Sequence, residues 1–79
     1  MNRDEIRTTL QQLFREVFDD ESIQLTDGLG REGFKSWDSL GHIRLVAAAE
    51  EAFNVSFTIE EIEGFTSADK IIDCVAAKR

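Results

Sequence analysis

The chain has 79 residues, 42% hydrophobic and 32% charged, with 16 acidic side chains against 9 basic ones. The net charge of −7 disfavours nucleic acid and anionic membrane surfaces as partners, because affinity for a polyanion comes mainly from Lys and Arg. A chain of this size buries only about 60% of its unfolded surface, which excludes a cleft between two lobes and predicts one domain over residues 1–79.

Cysteine content and hydropathy further narrow the class of protein to which the chain can belong. Cys74 is the only cysteine, so neither an internal disulfide nor a thiolate metal cluster is predicted. The sequence has no apolar run that would span a bilayer and no basic-then-apolar signal segment at its N-terminus. We therefore expect a cytoplasmic monomer whose partners are proteins with basic patches.

The first predicted element is an amphipathic helix over residues 3–18, capped by Asn2 or Asp4. Its apolar residues recur at spacings of three and four, as one helix face requires. They are Ile6, Leu10, Leu13, Phe14, Val17 and Phe18.

A long ordered loop is expected over residues 19–36, because that segment sustains no period and holds three of the five glycines. The side chains expected to pin it to the core are Ile23, Leu25, Leu29 and Phe34. The acids of the loop are Asp19, Asp20, Glu21 and Asp27. Their order is not that of a calcium-binding loop, so solvated charge is the favoured interpretation.

The second helix is predicted to begin around "SWDSL" and to end near Asn54. Its apolar period comprises Leu40, Ile43, Leu45, Val46, Phe53 and either Ala47 or Ala49. Val55 and Phe57 alternate as in a strand. A lone strand has no pairing partner, however, so a loop and a short third helix ended by Gly64 are predicted.

The last helix is predicted to start at Thr66 or Ser67 as its cap. One face of it is apolar and comprises Ala68, Ile71, Ile72 and Val75. The sequence thus predicts an all-α fold, a small four-helix bundle with three longer helices, a short third helix and a long first loop.

The stretch "WDSLGH" at residues 37–42 brings an Asp, a Ser and a His within five positions. A catalytic serine needs a base, a group that orients the base, and an oxyanion hole. Ser39 and His42 would be neighbours on a helix face, but no Gly-x-Ser-x-Gly elbow surrounds Ser39 and the chain is too small to enclose a substrate. A self-sufficient hydrolase is therefore disfavoured.

Ser39 is better placed to be modified by another enzyme. Whether Asp38 or Ser36 is the cap, its hydroxyl lies in the first helical turn, where the dipole and unpaired amides favour an attached phosphate. On the local residues alone, a plain helix cap with Trp37 filling the loop explains the stretch equally well.

The longer stretch "WDSLGHIRLVAAAEEAFNVSFTIEEI" resembles the phosphopantetheine attachment region of acyl carrier proteins and of the related peptidyl carrier domains. The resemblance rests on an Asp-Ser-Leu triplet that opens helix two, followed by apolar positions, a Glu pair and a Phe. These are Asp38, Ser39, Leu40, Ile43, Leu45, Val46, Glu50, Glu51, Phe53, Val55 and Phe57. The helix order, length and acidity also resemble those of a free-standing carrier.

This resemblance implies a carrier with no catalytic residues and no metal site. Ser39 would carry a 4′-phosphopantetheine arm, transferred from coenzyme A by a separate phosphopantetheinyl transferase, with Asp38 and Leu40 beside it. The thiol of the arm would hold acyl or aminoacyl groups as thioesters. Acyl-loading and acyl-accepting enzymes would dock through basic patches onto a surface that includes Trp37, Gly41, His42, Ile43, Arg44, Glu50, Glu60 and Glu61.

Departures from the fatty-acid-synthesis carriers indicate a specialised pathway. Many of those carriers have acids two and five residues after the serine, where this chain has Gly41 and Arg44. Gly41 costs about 1 kcal/mol of helix propensity and has two interpretations, close access for a partner or the arm, or neutral variation. His42 is expected at the surface, and Cys74 is expected to be buried or half-buried.

The run Ala47–Ala49 favours close helix packing over space for a buried cargo. The predicted function is an acyl carrier protein that delivers acyl intermediates to partner enzymes of a specialised lipid- or polyketide-type pathway. An aminoacyl or peptidyl carrier of nonribosomal peptide assembly is the alternative. An unmodified acidic helical adaptor is the less favoured third possibility.

Overall fold

The computed structural model describes residues 2–25 and 29–79; Asp27 and Gly28, assigned above to the first loop, lie outside the described residues. The helices of the described residues are α1 at Arg3–Val17, α2 at Ser39–Phe53, α3 at Ile59–Glu63 and α4 at Ala68–Lys78. The prediction of an all-α bundle with three longer helices, a short third helix and a long first loop is confirmed.

The helix ends follow from local side-chain chemistry. Asn2, not Asp4, caps α1, and its Oδ1 accepts a hydrogen bond from the Glu5 backbone N–H at 2.8 Å. Asn54 ends α2 in the left-handed conformation with φ 53°, which Asn tolerates better than most residues. Ser67, one of the two predicted caps, begins α4.

The core lies between α1, α2 and α4. The predicted face of α4, Ala68, Ile71, Ile72 and Val75, is buried. Of the predicted α1 face, Ile6, Leu10, Leu13 and Phe14 are buried, and Val17 and Phe18 pack partly buried against the core. The buried face of α2 is formed by Gly41, His42, Leu45, Val46, Ala49 and Phe53.

Part of the predicted apolar face of α2 is wrong, because the helix presents a different side to the core. Leu40 and Ile43 are exposed, at 58% and 66% of their surface. Positions 41, 45, 49 and 53, each four residues apart, face inward instead. Of the alanine run, Ala47 is exposed and Ala49 is buried, so close packing applies at Ala49.

The first loop is held against the bundle, as predicted. Ile23 and Leu25 are buried, and Leu29 and Phe34 pack partly buried against the core. Two backbone hydrogen bonds join the loop to the α3–α4 connection and to the start of α4: Arg31 N–H to the Thr66 carbonyl at 3.0 Å, and Ala68 N–H to the Leu29 carbonyl at 2.9 Å. These contacts fix the position of the loop that leads into α2.

Among the helices of the described residues, none has the length and apolar character needed to cross a membrane.

Candidate functional site

Ser39 is the first residue of α2, and its side chain is exposed. Asp38, not Ser36, is the N-cap: its Oδ1 accepts a hydrogen bond from the Gly41 N–H at 2.8 Å. The carbonyl of Asp38 accepts from the His42 N–H, also at 2.8 Å, which is the first hydrogen bond of the helix. Asp38 therefore closes the turn that contains Ser39 with two hydrogen bonds, one through its carboxylate and one through its backbone carbonyl.

The start of α2 suits a phosphate ester on the Ser39 hydroxyl. The amides of a first helical turn have no partner within the helix and, with the dipole, they favour negative charge. The first turn of α2 contains no acidic residue, whereas those of α1, α3 and α4 do. Asp38 is the nearest acid in sequence, and its carboxylate is bonded to Gly41.

His42 is not positioned to act as a base for Ser39. Its Nδ1 lies 2.9 Å from the indole nitrogen of Trp37, and its Nε2 lies 2.8 Å from the Ile62 carbonyl oxygen. Both ring nitrogens are therefore engaged elsewhere. The geometry provides no nucleophile–base pair at "WDSLGH", and the catalytic interpretation of that stretch has no support.

The prediction of a surface His42 is wrong, because its side chain is only 6% exposed. Trp37 is 2% exposed, and its ring meets the edge of Phe14 with centroids 5.1 Å apart. The inward side of α2 begins at Gly41 and His42, and Trp37 covers it from the loop. Trp37 and His42 thus offer almost no surface to a docking protein, which corrects their predicted place in the partner surface.

Gly41 is buried because other parts of this chain come very close to its Cα. A Cβ built at Gly41 would lie 2.6 Å from Phe18 Cε1 and 2.8 Å from the Ser36 carbonyl oxygen. The close approach is internal, between α2, the end of α1 and the loop. Both interpretations offered by the sequence, access for a partner and neutral variation, are replaced by this packing requirement.

An exposed face of α2 runs away from Ser39 and comprises Leu40, Ile43, Arg44, Ala47 and Glu51. From Leu40 the successive steps through Ile43 or Arg44 to Ala47 and Glu51 are three or four residues, so these positions share one side of the helix. The first three turns of α2 contain one charged side chain, the cationic Arg44. Ile43 and Arg44 were predicted at the partner surface, and the structure exposes both.

Helix α3 adds an exposed apolar residue and exposed acids. Ile59, its first residue, is 73% exposed. Glu60 and Glu63 are exposed as well. The sequence predicted Glu60 at the partner surface but did not single out Ile59, although an apolar residue at the start of a five-residue helix has few neighbours to cover it.

Glu50 and Glu61, also predicted at the partner surface, make internal contacts. The Oε2 of Glu50 accepts a hydrogen bond from the Phe57 N–H at 2.9 Å and thereby fixes the chain between α2 and α3. Glu61 completes a capping box with Thr58, accepting from its N–H at 2.8 Å, and pairs with Lys78 at 3.2 Å. The Thr58 N–H is the main cause that lowers the pKa of Glu61, helped by Lys78.

Cys74 is half-buried, as predicted, and its thiol donates to Oε2 of Glu61 at 3.4 Å. Burial raises the pKa of the Cys74 thiol to about 11, and the neighbouring Glu61 carboxylate adds to that rise. The thiol is therefore almost wholly protonated at neutral pH, which makes it a poor nucleophile.

One contact that the sequence analysis missed is the hydrogen bond from Trp37 to His42. A signal for it was present, because a buried indole N–H needs an acceptor. His42 is the only histidine of the chain and lies five residues from the only tryptophan.

Comparisons with known proteins agree on one kind of protein. The family model for the phosphopantetheine attachment site matches residues 4–75. A holo acyl carrier protein from Geobacter metallireducens, solved in solution by NMR, is 32% identical, with a TM-score of 0.83. That similarity covers 90% of this chain and 82% of the Geobacter chain. No curated protein matches.

Proposed function

This chain belongs to the phosphopantetheine-attachment family of acyl carrier proteins, and we propose that Ser39 is the residue to which its 4′-phosphopantetheine is attached. Proteins of this family are carriers that bear the covalently bound group, and they are not enzymes. The observation that carries the assignment of Ser39 is its exposed place as the first residue of α2, directly after the capping Asp38.

The residues around Ser39 have separate roles in this proposal. Asp38 closes the turn in which the exposed Ser39 lies, and the positive end of the α2 dipole favours the negative charge of the phosphodiester. Leu40, exposed beside Ser39, offers an apolar contact to the enzyme that delivers the group. The attached group supplies a terminal thiol on which acyl groups are carried as thioesters.

To test the proposal, the purified protein is incubated with coenzyme A and a broad-specificity phosphopantetheinyl transferase, and its intact mass is measured. We expect an intact-mass gain of one phosphopantetheine in the wild type and none in Ser39→Ala. Ser36→Ala is the matched control, since Ser36 is an exposed serine three residues earlier, and it should gain the group normally. A gain that survives in Ser39→Ala contradicts the assignment. A wild type that gains no mass favours the unmodified adaptor.

We also propose that the carrier serves a specialised pathway, because of the charge pattern of its exposed surface. The exposed face of α2 contains Arg44 where housekeeping carriers have acids, and its acid, Glu51, comes only in the last turn. Glu60 and Glu63 follow on α3. Partner enzymes should therefore combine an apolar patch for Leu40 and Ile43, an acid for Arg44 and a basic patch for α3.

An acyl cargo is favoured over an aminoacyl one, because the Geobacter relative is an acyl carrier protein. Genes that neighbour this one discriminate the two: ketosynthases and acyltransferases indicate acyl loading, whereas adenylation enzymes indicate aminoacyl loading. Direct loading of the holo protein by those enzymes, followed by intact mass, then identifies the cargo. We expect the carrier to be a cytoplasmic monomer, with its mass in solution measured by sedimentation.

A further inference from the structure

The buried Trp37 and His42 form a chain of hydrogen bonds that ends on α3. The indole Nε1 of Trp37 lies 2.9 Å from Nδ1 of His42, and Nε2 of His42 lies 2.8 Å from the Ile62 carbonyl oxygen. These two hydrogen bonds thus join the loop before α2, the first turn of α2 and the short helix α3. His42 lies three residues after Ser39.

The partners of the two ring nitrogens determine the tautomer of His42. An indole N–H donates only, so Nδ1 of His42 is the acceptor and carries no hydrogen. A carbonyl oxygen accepts only, so Nε2 carries the hydrogen and donates to Ile62. The hydrogen-bond partners therefore select the Nε2–H tautomer of His42.

Helix α3 is held by a small set of contacts with its neighbours, which include Ile62 against the core and the Cys74 thiol on Glu61. It is five residues long and contains no buried side chain, and a helix of that length is not stable by itself. The ion pair of Glu61 with Lys78 ties α3 to α4. The bond of Glu50 to the Phe57 N–H ties the segment before α3 to the C-terminal end of α2. The bond from His42 ties α3 to the other end of α2, where Ser39 lies.

We infer that His42 is a positioning residue, which holds α3 in a fixed place relative to Ser39 so that partner enzymes meet one preformed surface. The inference rests on the proposed role of Ser39 as the attachment residue. Ile59 and Glu60, both exposed on α3, lie within four residues of the carbonyl that His42 holds. A binding surface that is ordered beforehand loses less entropy when an enzyme binds.

The tautomer is the first test, and it needs only the wild-type protein. In a sample labelled with ¹⁵N, the nitrogen shifts of His42 should show an unprotonated Nδ1 and a protonated Nε2. A scalar coupling across the bond from Trp37 Nε1–H to His42 Nδ1 is expected too. Because the chain has one histidine and one tryptophan, assignment is direct. A hydrogen on Nδ1 would overturn the inference.

The second test compares three variants in the transferase reaction with coenzyme A. His42→Phe keeps a ring in the same space but removes both hydrogen bonds. His42→Gln retains a donor and an acceptor, and Ile6→Val is a control that removes one buried methylene group from α1. We expect KM for the carrier to rise about fivefold in His42→Phe, the factor for the one hydrogen bond of the two that reaches α3, with kcat unchanged. His42→Gln and Ile6→Val should stay near the wild type.

Hydrogen exchange gives a readout that a general loss of stability would not produce. The amides of Ile62, Gly64 and Phe65 should exchange faster in His42→Phe than in Ile6→Val, while the α1 amides behave alike in both. If His42→Phe does not fold, Trp37→Phe removes the donor alone and should mix the His42 tautomers and speed exchange in α3.

The results distinguish a failure of the positioning role of His42 from a failure of Ser39 as the attachment residue. A His42→Phe protein that matches Ile6→Val in both KM and α3 exchange overturns the positioning role, even if Ser39 is modified. A wild type that is not modified at Ser39 overturns the attachment site, while the tautomer and exchange results still decide whether His42 holds α3.

Discussion

The carboxylate of Asp38 accepts a hydrogen bond from the Gly41 N–H at 2.8 Å, so the residue before Ser39 closes the turn that presents it. We predict that Asp38→Ala lowers the free energy of unfolding by about 1 kcal/mol, the usual loss for an N-cap. Asp38→Ser, which keeps a capping oxygen, should lose much less. Urea unfolding followed by circular dichroism measures both. Equal stability of the two variants would show that the cap contributes nothing.

The second prediction concerns the close approach at Gly41. Gly41→Ala should destabilise the protein by about 1–3 kcal/mol, because the new Cβ meets Phe18 and the Ser36 carbonyl. This loss should outweigh the gain of about 1 kcal/mol in helix propensity. Gly33→Ala is the matched control, since a Cβ there has nothing within 4 Å. Its stability should change by no more than about 0.5 kcal/mol. A Gly41→Ala protein as stable as Gly33→Ala would contradict the packing.

The third prediction tests the exposed face of α2. Arg44→Glu and Ile43→Ser should leave stability within about 0.5 kcal/mol, because both side chains are exposed. Each should raise KM for the carrier's own loading enzyme about fivefold, since one removes a charge contact and the other an apolar one.

Lys70→Glu is the control for the charge change, because Lys70 is an exposed cation on α4. It alters the net charge by the same amount as Arg44→Glu. If the two reversals change KM equally, only the overall charge of the protein matters and the docking face is elsewhere.

The fourth prediction concerns the reactivity of Cys74. Because the pKa of the Cys74 thiol is raised to about 11, its thiolate fraction at pH 8 is about 100-fold below that of a thiol whose pKa is 9.0. Because a more basic thiolate is also a stronger nucleophile, the net rate of alkylation should be about tenfold lower. Iodoacetamide labelling of the folded apo protein, compared with the protein in denaturant, measures this ratio. Equal rates in the two states would contradict the protection of Cys74.

How much of this fold the sequence predicts depends on whether a feature is local. Asn2, Ser67 and Asn54 act within one turn of their own position, so the helix ends were predicted to within two residues, with Asp4 and Thr66 left as second candidates for two of the caps. The apolar residues of α1 lie on a single face, and those of the first loop are few and well separated. Their contact with the core was therefore predicted correctly.

The rotation of α2 was not predictable in the same way. Its apolar residues occur on two sides, with Leu40 and Ile43 on one and Leu45 and Val46 on the other. Periodicity alone does not say which side meets the core. The inward position of His42 depends on Trp37 folding over it from the loop, a contact between two elements.

Gly41 shows the same limit. Its role is set by Phe18, which is distant in sequence, and by a backbone oxygen of the loop. For Ser39, the local residues left a plain helix cap as an equal alternative, and the longer resemblance to carrier proteins selected the attachment site.

The most direct test of the account is to locate the modification within the holo protein. Trypsin cleaves after Lys35 and Arg44, so it releases one peptide, residues 36–44, that contains both Ser36 and Ser39. Fragmentation of that peptide assigns the added mass to one of the two serines. We predict phosphopantetheine on Ser39. Phosphopantetheine on Ser36, or a peptide that is never modified, would contradict it.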